Sequence, residues 1–158
     1  MIDDARRDPE AFWNRAAREL PWFRTWDRVF ETVATAPDAA EFQPAFRWFF
    51  GGSTNLAYNA LDHHVKRGRG GHTALIYFNE RHEQRRFTYT ELLQNVERVA
   101  AALRALGIGK GDRVTVYMPT SPEAITLMLA VVRIGAIHSV VFAGFSPCPA
   151  VAASSSAL

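Results

Sequence analysis

The sequence predicts an α/β fold built on an incomplete parallel sheet, with an irregular aromatic arm in front of it. Three observations predict this class. Arg113–Met118 and Ile137–Phe142 read as strands on either side of a helix opened by Ser121-Pro122-Glu123, the order of a parallel crossover unit. Thr73–Phe78 and Arg85–Thr88 read as a hairpin that runs directly into a capped amphipathic helix. Nine aromatic residues fall between Trp22 and Phe50 without a regular period: Trp22, Phe23, Trp26, Phe30, Phe42, Phe46, Trp48, Phe49 and Phe50.

The elements follow in chain order. Asp8-Pro9-Glu10 starts a helix, since Asp caps well and Pro suits the first helical position. Phe12, Trp13, Ala16, Ala17 and Leu20 then recur at helical spacing, and Pro21 ends the run. The aromatic stretch that follows is broken by Pro37 and Pro44 and is expected to bury its rings against a larger body. Gly51-Gly52-Ser53-Thr54-Asn55 is a turn cluster, and Asn55 to Lys66 reads as a short helix with Leu56, Leu61 and Val65 apolar.

After the hairpin, Thr88 and Glu91 have the spacing of a capping box. Leu92, Val96, Val99, Ala100, Leu103 and Leu106 form one apolar stripe, and Gly107 supplies the stop. The next helix, Pro122 to Ile134, is apolar on more than one side, as in a helix buried within a larger body. Gly135 closes it. Strand Ile137–Phe142 is almost continuously apolar, as in a parallel strand covered on both faces. Residues Pro147 to Leu158 differ in composition and are expected to be an aberrant, disordered tail. The expected organisation is an aromatic N-terminal region over 1–72, a partial α/β domain over 73–146 and the tail over 147–158.

Composition narrows the function classes. The chain has 158 residues, 48% of them apolar, enough for about one domain with a core. Eighteen basic against sixteen acidic residues leave a net charge of +2, too mild for a nucleic-acid footprint. The dense basic cluster Lys66-Arg67-Gly68-Arg69-Gly70-Gly71 reads as a solvated loop. Cys148 is the one cysteine, so no disulfide framework or Cys-rich metal site arises. Apolar runs such as Leu127 to Val132 are too short to span a bilayer. Met1-Ile2-Asp3-Asp4 is unlike a secretory signal, and the expected compartment is the cytoplasm.

Candidate sites are few. His63 and His64 are adjacent on a helix and point about 100° apart, which chelates one metal poorly. His138 is expected to be a hydrogen-bonded core residue. Gly107-Ile108-Gly109-Lys110-Gly111-Asp112 tempts a phosphate-loop reading, but its spacing is wrong and it follows a helix and precedes a strand. No catalytic residue and no metal ligand is assigned.

Several stretches, in order, carry a resemblance. They are Arg47-Trp48-Phe49-Phe50-Gly51-Gly52-Ser53-Thr54-Asn55, Asn59-Ala60-Leu61-Asp62-His63-His64, Phe87-Thr88-Tyr89-Thr90-Glu91-Leu92 and Gly109-Lys110-Gly111-Asp112-Arg113-Val114. Tyr117-Met118-Pro119, Pro122-Glu123-Ala124 and Arg133 through Ser146 complete them. In these the chain resembles the N-terminal part of AMP-forming acetyl-CoA and propionyl-CoA synthetases, of the adenylate-forming superfamily. It departs from that family at His63, where Arg is usual, and at Ala143, where Gly is common.

The resemblance implies the large-domain fold of an adenylate-forming enzyme. It also implies a ligase that activates a short-chain carboxylic acid with ATP to acyl-AMP and transfers it to coenzyme A. Such chemistry needs a Ser/Thr/Gly-rich phosphate loop, Mg²⁺ and a Lys from a mobile C-terminal domain. These residues have no counterpart among the 158 present. The chain is therefore expected to be a truncated synthetase, inactive alone, with ATP, Mg²⁺ and coenzyme A used by the parent enzyme and none bound tightly here. Phe142, Ala143 and Gly144 match a family stretch that borders the coenzyme A nucleotide site. A strand ending in a tight packed turn explains the same residues equally well. The expected partners are the small-molecule substrates, with neither nucleic acid nor membrane. One half of a split enzyme, completed by another chain, and a non-catalytic binding or regulatory module remain alternatives.

Overall fold

The computed structural model describes residues 2–32 and 46–144. It separates into two compact units, Met1–Thr54 and Asn55–Leu158. The expected tail 147–158, with Cys148, lies outside the described residues, as do Pro37, Phe42 and Pro44 of the aromatic stretch.

In the first unit, helices α1 (Ile2–Arg7) and α2 (Pro9–Ala17) flank Asp8. Asp8 Oδ1 accepts from the Ala11 amide at 2.9 Å, the cap read from the sequence. The sequence reading leaves out α1. Asp3 and Asp4 in its first turn and Arg6 and Arg7 in its last complement the helix dipole.

The arm is aromatic as read, but it is not wholly irregular. Strands β1 (Arg28–Thr32) and β2 (Phe46–Phe50) pair antiparallel, with Phe30 opposite Trp48. Trp48, Phe49 and Phe50 are consecutive, so period-two alternation is invisible in the sequence, and the pairing is decided by a distant segment. Ring contacts set the packing. Centroids of Trp22 and Trp26 lie 5.0 Å apart, Trp26 and Phe49 5.1 Å, and Trp22 and Phe49 5.4 Å. A Cβ at Gly52 would sit 2.8 Å from the Trp22 ring, which explains why glycine stands there.

The second unit begins at Asn55, whose Oδ1 accepts from the Tyr58 amide at 3.1 Å and starts the expected helix. That helix is wider than an ordinary one. Two π-helical turns, Tyr58–Asp62 and Val65–Arg69, make up most of it. Strands β3 (Thr73–Phe78) and β4 (Gln84–Thr88) form the expected antiparallel hairpin. Asn79 Oδ1 organises its turn by accepting from the amides of Arg81 at 3.0 Å and Glu83 at 2.9 Å.

Helix α3 (Tyr89–Ala105) starts with the full capping box: Thr88 Oγ1 accepts from the Glu91 amide at 3.2 Å, and Glu91 Oε2 accepts from the Thr88 amide at 2.8 Å. Leu92, Val96, Ala100 and Leu103 are buried, but Leu106 is 78% exposed. The stripe therefore ends one turn early. Leu106 is already the cap residue, where the chain leaves the helical path before the positive φ of Gly107.

Strand β5 (Arg113–Met118), helix α4 (Pro122–Arg133) and strand β6 (Ile137–Phe142) follow as predicted, and β5 and β6 pair in parallel from Arg113↔Ile137 to Met118↔Phe142. Ser121 Oγ caps α4 by accepting from the Ala124 amide at 3.2 Å. One core joins these parts: Leu61, Leu92, Val96, Leu103, Val131 and Ile134 pack together, with Leu75, Phe87 and Val114 against them. The described strands form three separate two-stranded sheets.

A polar cluster ties the π-helical segment to both helices. Arg133 donates to both Asp62 carboxylate oxygens, at 2.6 and 3.0 Å, and to Glu97 Oε1 at 3.0 Å. Hydrogen bonding to Asp62 raises the Arg133 pKa further above its already high ordinary value. Asn55 Nδ2 donates to the carbonyls of Val132 at 2.9 Å and Arg133 at 3.3 Å, satisfying the end of α4.

Asp62→Ala is expected to lower stability by about 2 kcal/mol, because it leaves a half-buried guanidinium short of its main partner. Urea unfolding followed by circular dichroism measures this, and an unchanged midpoint refutes it. A second prediction concerns pH. Hydrogen bonds from the Thr88 amide, then from its hydroxyl, hold the Glu91 carboxyl below its ordinary 4.5. A carboxylate depressed in the folded state stabilises above that ordinary value and loses its contribution as pH falls through the lower folded value. Glu91→Gln is therefore expected to lower the thermal midpoint at neutral pH, with the gap to the parent closing as the pH drops below 4.5. A gap that stays constant into acid would contradict this.

Candidate functional site

Because β5 and β6 are parallel, their C-terminal ends open on the same edge of the sheet. Open α/β sheets place ligands at this edge. The Pro119–Ser121 loop leaves β5 here, and Ala143 and Gly144 leave β6. Together with Ile76–Arg81 of the hairpin they line a cleft of about 890 Å³. Phe142 is the last residue of β6, and Ala143 and Gly144 are exposed in the turn after it. The Tyr117 hydroxyl donates to the Ala143 carbonyl at 3.5 Å, linking the ends of the two strands. The structure thus brings Ala143 and Gly144 to the cleft, with Phe142 at its margin by backbone position.

The walls are mostly apolar: Ile76, Phe78, Ile125, Met128 and Val140 contribute. Glu80 and Arg81 are the charged residues among its described lining, and they bring opposite signs. Small residues at 143 and 144 leave space for a ligand to approach the backbone. A phosphate-rich molecule needs several charge-assisted donors, and one arginine beside a glutamate does not supply them. The hairpin side of the cleft is missing from the sequence reading. Thr73–Phe78 is almost wholly apolar, so no alternation marks which of its residues face outward.

The glycine connector is engaged in local hydrogen bonds. In the Gly107–Asp112 connector the amides of Gly107, Ile108, Gly109, Gly111 and Asp112 make hydrogen bonds within the chain. The Gly109 amide donates to Asp112 Oδ2 at 2.7 Å, and the Gly111 amide donates to the Gly135 carbonyl at 3.0 Å. Among the described residues no three His, Cys, Asp or Glu side chains come together to hold a metal ion. No helix among them is long and apolar enough to cross a membrane.

The histidines have local roles. The His64 ring packs on Tyr89 with centroids 4.7 Å apart. Desolvation, followed by repulsion from Arg67, His64 and Arg69, lowers the His63 pKa below its ordinary 6.5. His138 departs from expectation: its Nδ1 is buried in β6 without a hydrogen-bond partner among the described residues. In the basic cluster, Lys66 Nζ sits over the Tyr58 ring at 4.8 Å, so its cation is held by packing as well as by solvent.

Comparison with known proteins agrees with this geometry. A family model described as AMP-binding enzyme matches residues 61–152, and one described as acetyl-coenzyme A synthetase N-terminus matches residues 1–60. An acetyl-coenzyme A synthetase of Deinococcus radiodurans is 49% identical over 138 residues, which are 87% of this chain and 20% of that protein. The human mitochondrial acyl-CoA synthetase short-chain family member 3 is 41% identical over 140 residues, 88% of this chain and 19% of that protein. The structure of acetoacetyl-CoA synthetase from Streptomyces lividans superposes with a TM-score of 0.76 at 29% identity, covering 90% of this chain and 21% of that one. The chain spans about a fifth of the length of the curated relatives it matches. With its aromatic arm, its parallel β5–α4–β6 unit and these matches along nearly its whole length, the chain belongs to the AMP-binding enzyme family and corresponds to the N-terminal part of its acetyl-CoA synthetase members.

Proposed function

We propose that residues 1–158 serve as the N-terminal part of an AMP-forming short-chain acyl-CoA synthetase, acting on acetate, propionate or a similar acid. The observation that carries this is the match, at 41% and 49% identity over nearly nine-tenths of the chain, to proteins named as acyl-CoA and acetyl-CoA synthetases. In that enzyme ATP activates the acid and coenzyme A accepts the acyl group, with Mg²⁺ offsetting phosphate charge. The contribution of this stretch is structural and positional. It supplies the first strands and helices of the sheet and one wall of the coenzyme A site, at Phe142, Ala143 and Gly144. The exposed Ala143–Gly144 turn beside the cleft supports that assignment. The arm over 1–72 and the partial AMP-binding domain over 73–146 are the working parts. A cytoplasmic setting accords with a chain carrying a single cysteine.

Two measurements test the reading. Residues 1–158 alone are expected to release no pyrophosphate in the presence of acetate or propionate, ATP and Mg²⁺, because they lack the groups that stabilise the phosphoryl charge. Acid-dependent release above a buffer blank would overturn this. Calorimetry with coenzyme A is expected to show weak binding at most, lost in Gly144→Leu, whose side chain fills the approach to the backbone. Tight binding that survives the substitution would place the coenzyme elsewhere.

A further inference from the structure

A second cleft, of about 330 Å³, lies between β4, α3 and the first turns of α4. It is separate from the cleft at the strand ends, because the two use different faces of α4. Ser121, Ala124 and Ile125 line the first, and Pro122, Glu123 and Thr126 line the second. The floor of the second is largely apolar. Pro122 and Thr126 are buried, and Phe87 and Val99 pack against the core. The Thr126 hydroxyl donates to the Pro122 carbonyl at 2.8 Å, so the one polar side chain of the floor is already satisfied. The rim carries three charges, Arg85, Arg98 and Glu123. Arg85 donates to Glu123 Oε1 at 2.9 Å, and its guanidinium lies 5.1 Å from the centre of the Phe87 ring. Hydrogen bonding to its own amide, then to Arg85, holds the Glu123 carboxyl below its ordinary 4.5. Those two charges therefore cancel at neutral pH. Arg98 is left over. It donates to Asn95 Oδ1, a neutral acceptor one turn back on α3, and among the described residues no carboxylate pairs with it. The cleft thus holds one uncompensated positive charge above an apolar floor.

We propose that this cleft binds a small carboxylate of single negative charge with an aromatic or branched apolar body. Arg98 holds the carboxylate, and Phe87, Val99 and Pro122 take the body. Charge balance fixes the valence, since a monoanion neutralises the cleft and a dianion overshoots it. The planar guanidinium suits a carboxylate because it offers two parallel N–H donors. Asn95 steadies that guanidinium, and its own Nδ2 is a further donor at the same mouth. The floor selects for size. A two-carbon acid satisfies Arg98 but leaves the apolar floor in water, whereas a ring covers it. The site is independent of the synthetase reading and of the coenzyme A wall at Phe142, Ala143 and Gly144.

The test titrates nitrogen-15-labelled residues 1–158 with benzoate, acetate and benzyl alcohol and follows the backbone amides by NMR. Benzoate carries both charge and ring, acetate the charge alone and benzyl alcohol the ring alone. Benzoate is expected to shift the amides of Phe87, Arg98, Val99 and Glu123, with a dissociation constant on the order of millimolar, and to leave Ala143 and Gly144 unmoved. Acetate is expected to bind at least about tenfold more weakly, for want of the ring. Benzyl alcohol is expected to bind at least about fivefold more weakly, for want of charge-assisted hydrogen bonds. Arg98 is exposed on α3, so Arg98→Gln is expected to keep the circular dichroism of the parent while weakening benzoate about fivefold. Gly144→Leu is expected to bind benzoate as the parent does. No shift at the four amides overturns the proposal, and so does an affinity that Arg98→Gln leaves unchanged. Acetate or benzyl alcohol binding as well as benzoate overturns the ligand class. Shifts confined to Ala143 and Gly144, or binding lost in Gly144→Leu, assign the anion to the other cleft and overturn the site.

Discussion

The bidentate contact of Arg133 with Asp62, reinforced by Glu97, is the constraint on which the second unit depends. Its three members come from the π-helical segment, α4 and α3. Both Arg133 and Asp62 are largely withdrawn from solvent, with side chains 22% and 14% exposed. Desolvating such charges is costly, and only geometry that satisfies several donors and acceptors at once repays it. The guanidinium fork does so here, because one planar group reaches two carboxylates. Glu97 is half in solvent, so its share is the smaller. Asn55 completes the arrangement by starting the π-helical segment with its oxygen and closing α4 with its nitrogen.

The hydrophobic core follows from that clamp. With α4 held against α3, Val131 and Ile134 meet Val96 and Leu103, and Leu61 fills the space from the π-helical side. Helix α4 also packs against both strands of the parallel pair. The connections of that pair are tight. The Ile137 amide donates to the Asp112 carbonyl at 2.8 Å, so the entrances to β5 and β6 are pinned together before the ladder begins. The exits are left open. That asymmetry puts the candidate site at the C-terminal edge, where Ala143 and Gly144 border a cleft whose walls are apolar and whose charges oppose one another.

Much of this was legible residue by residue. Caps at Asp8, Thr88 and Ser121 are local chemistry, in which a side chain bonds an amide three residues on, and the structure has each of them. The helix-to-strand connector was legible for the same reason, since it depends on spacing within six residues. The aromatic arm was harder. Its composition was plain, but the pairing of Arg28–Thr32 with Phe46–Phe50 joins segments far apart in sequence, and a run of consecutive rings hides strand alternation. His138 shows a different limit. A histidine in an apolar strand ordinarily finds a hydrogen-bond partner, and whether one stands nearby is decided by neighbours from other elements.

By itself the sequence determined the class of fold, the order of the elements in the second unit with the capped starts of α3 and α4, and the family resemblance, because periodicity, capping residues and glycine stops act over a few residues. It also carried the small residues of the Ala143–Gly144 turn. Only the tertiary structure decided that Asp62, Glu97 and Arg133 meet, that Leu106 leaves the core, and that Ile76 and Phe78 face a cleft opposite Val140. These are long-range outcomes. They depend on how α3, α4 and the hairpin pack, and packing is set by the combined shape of many side chains rather than by the spacing of any one run.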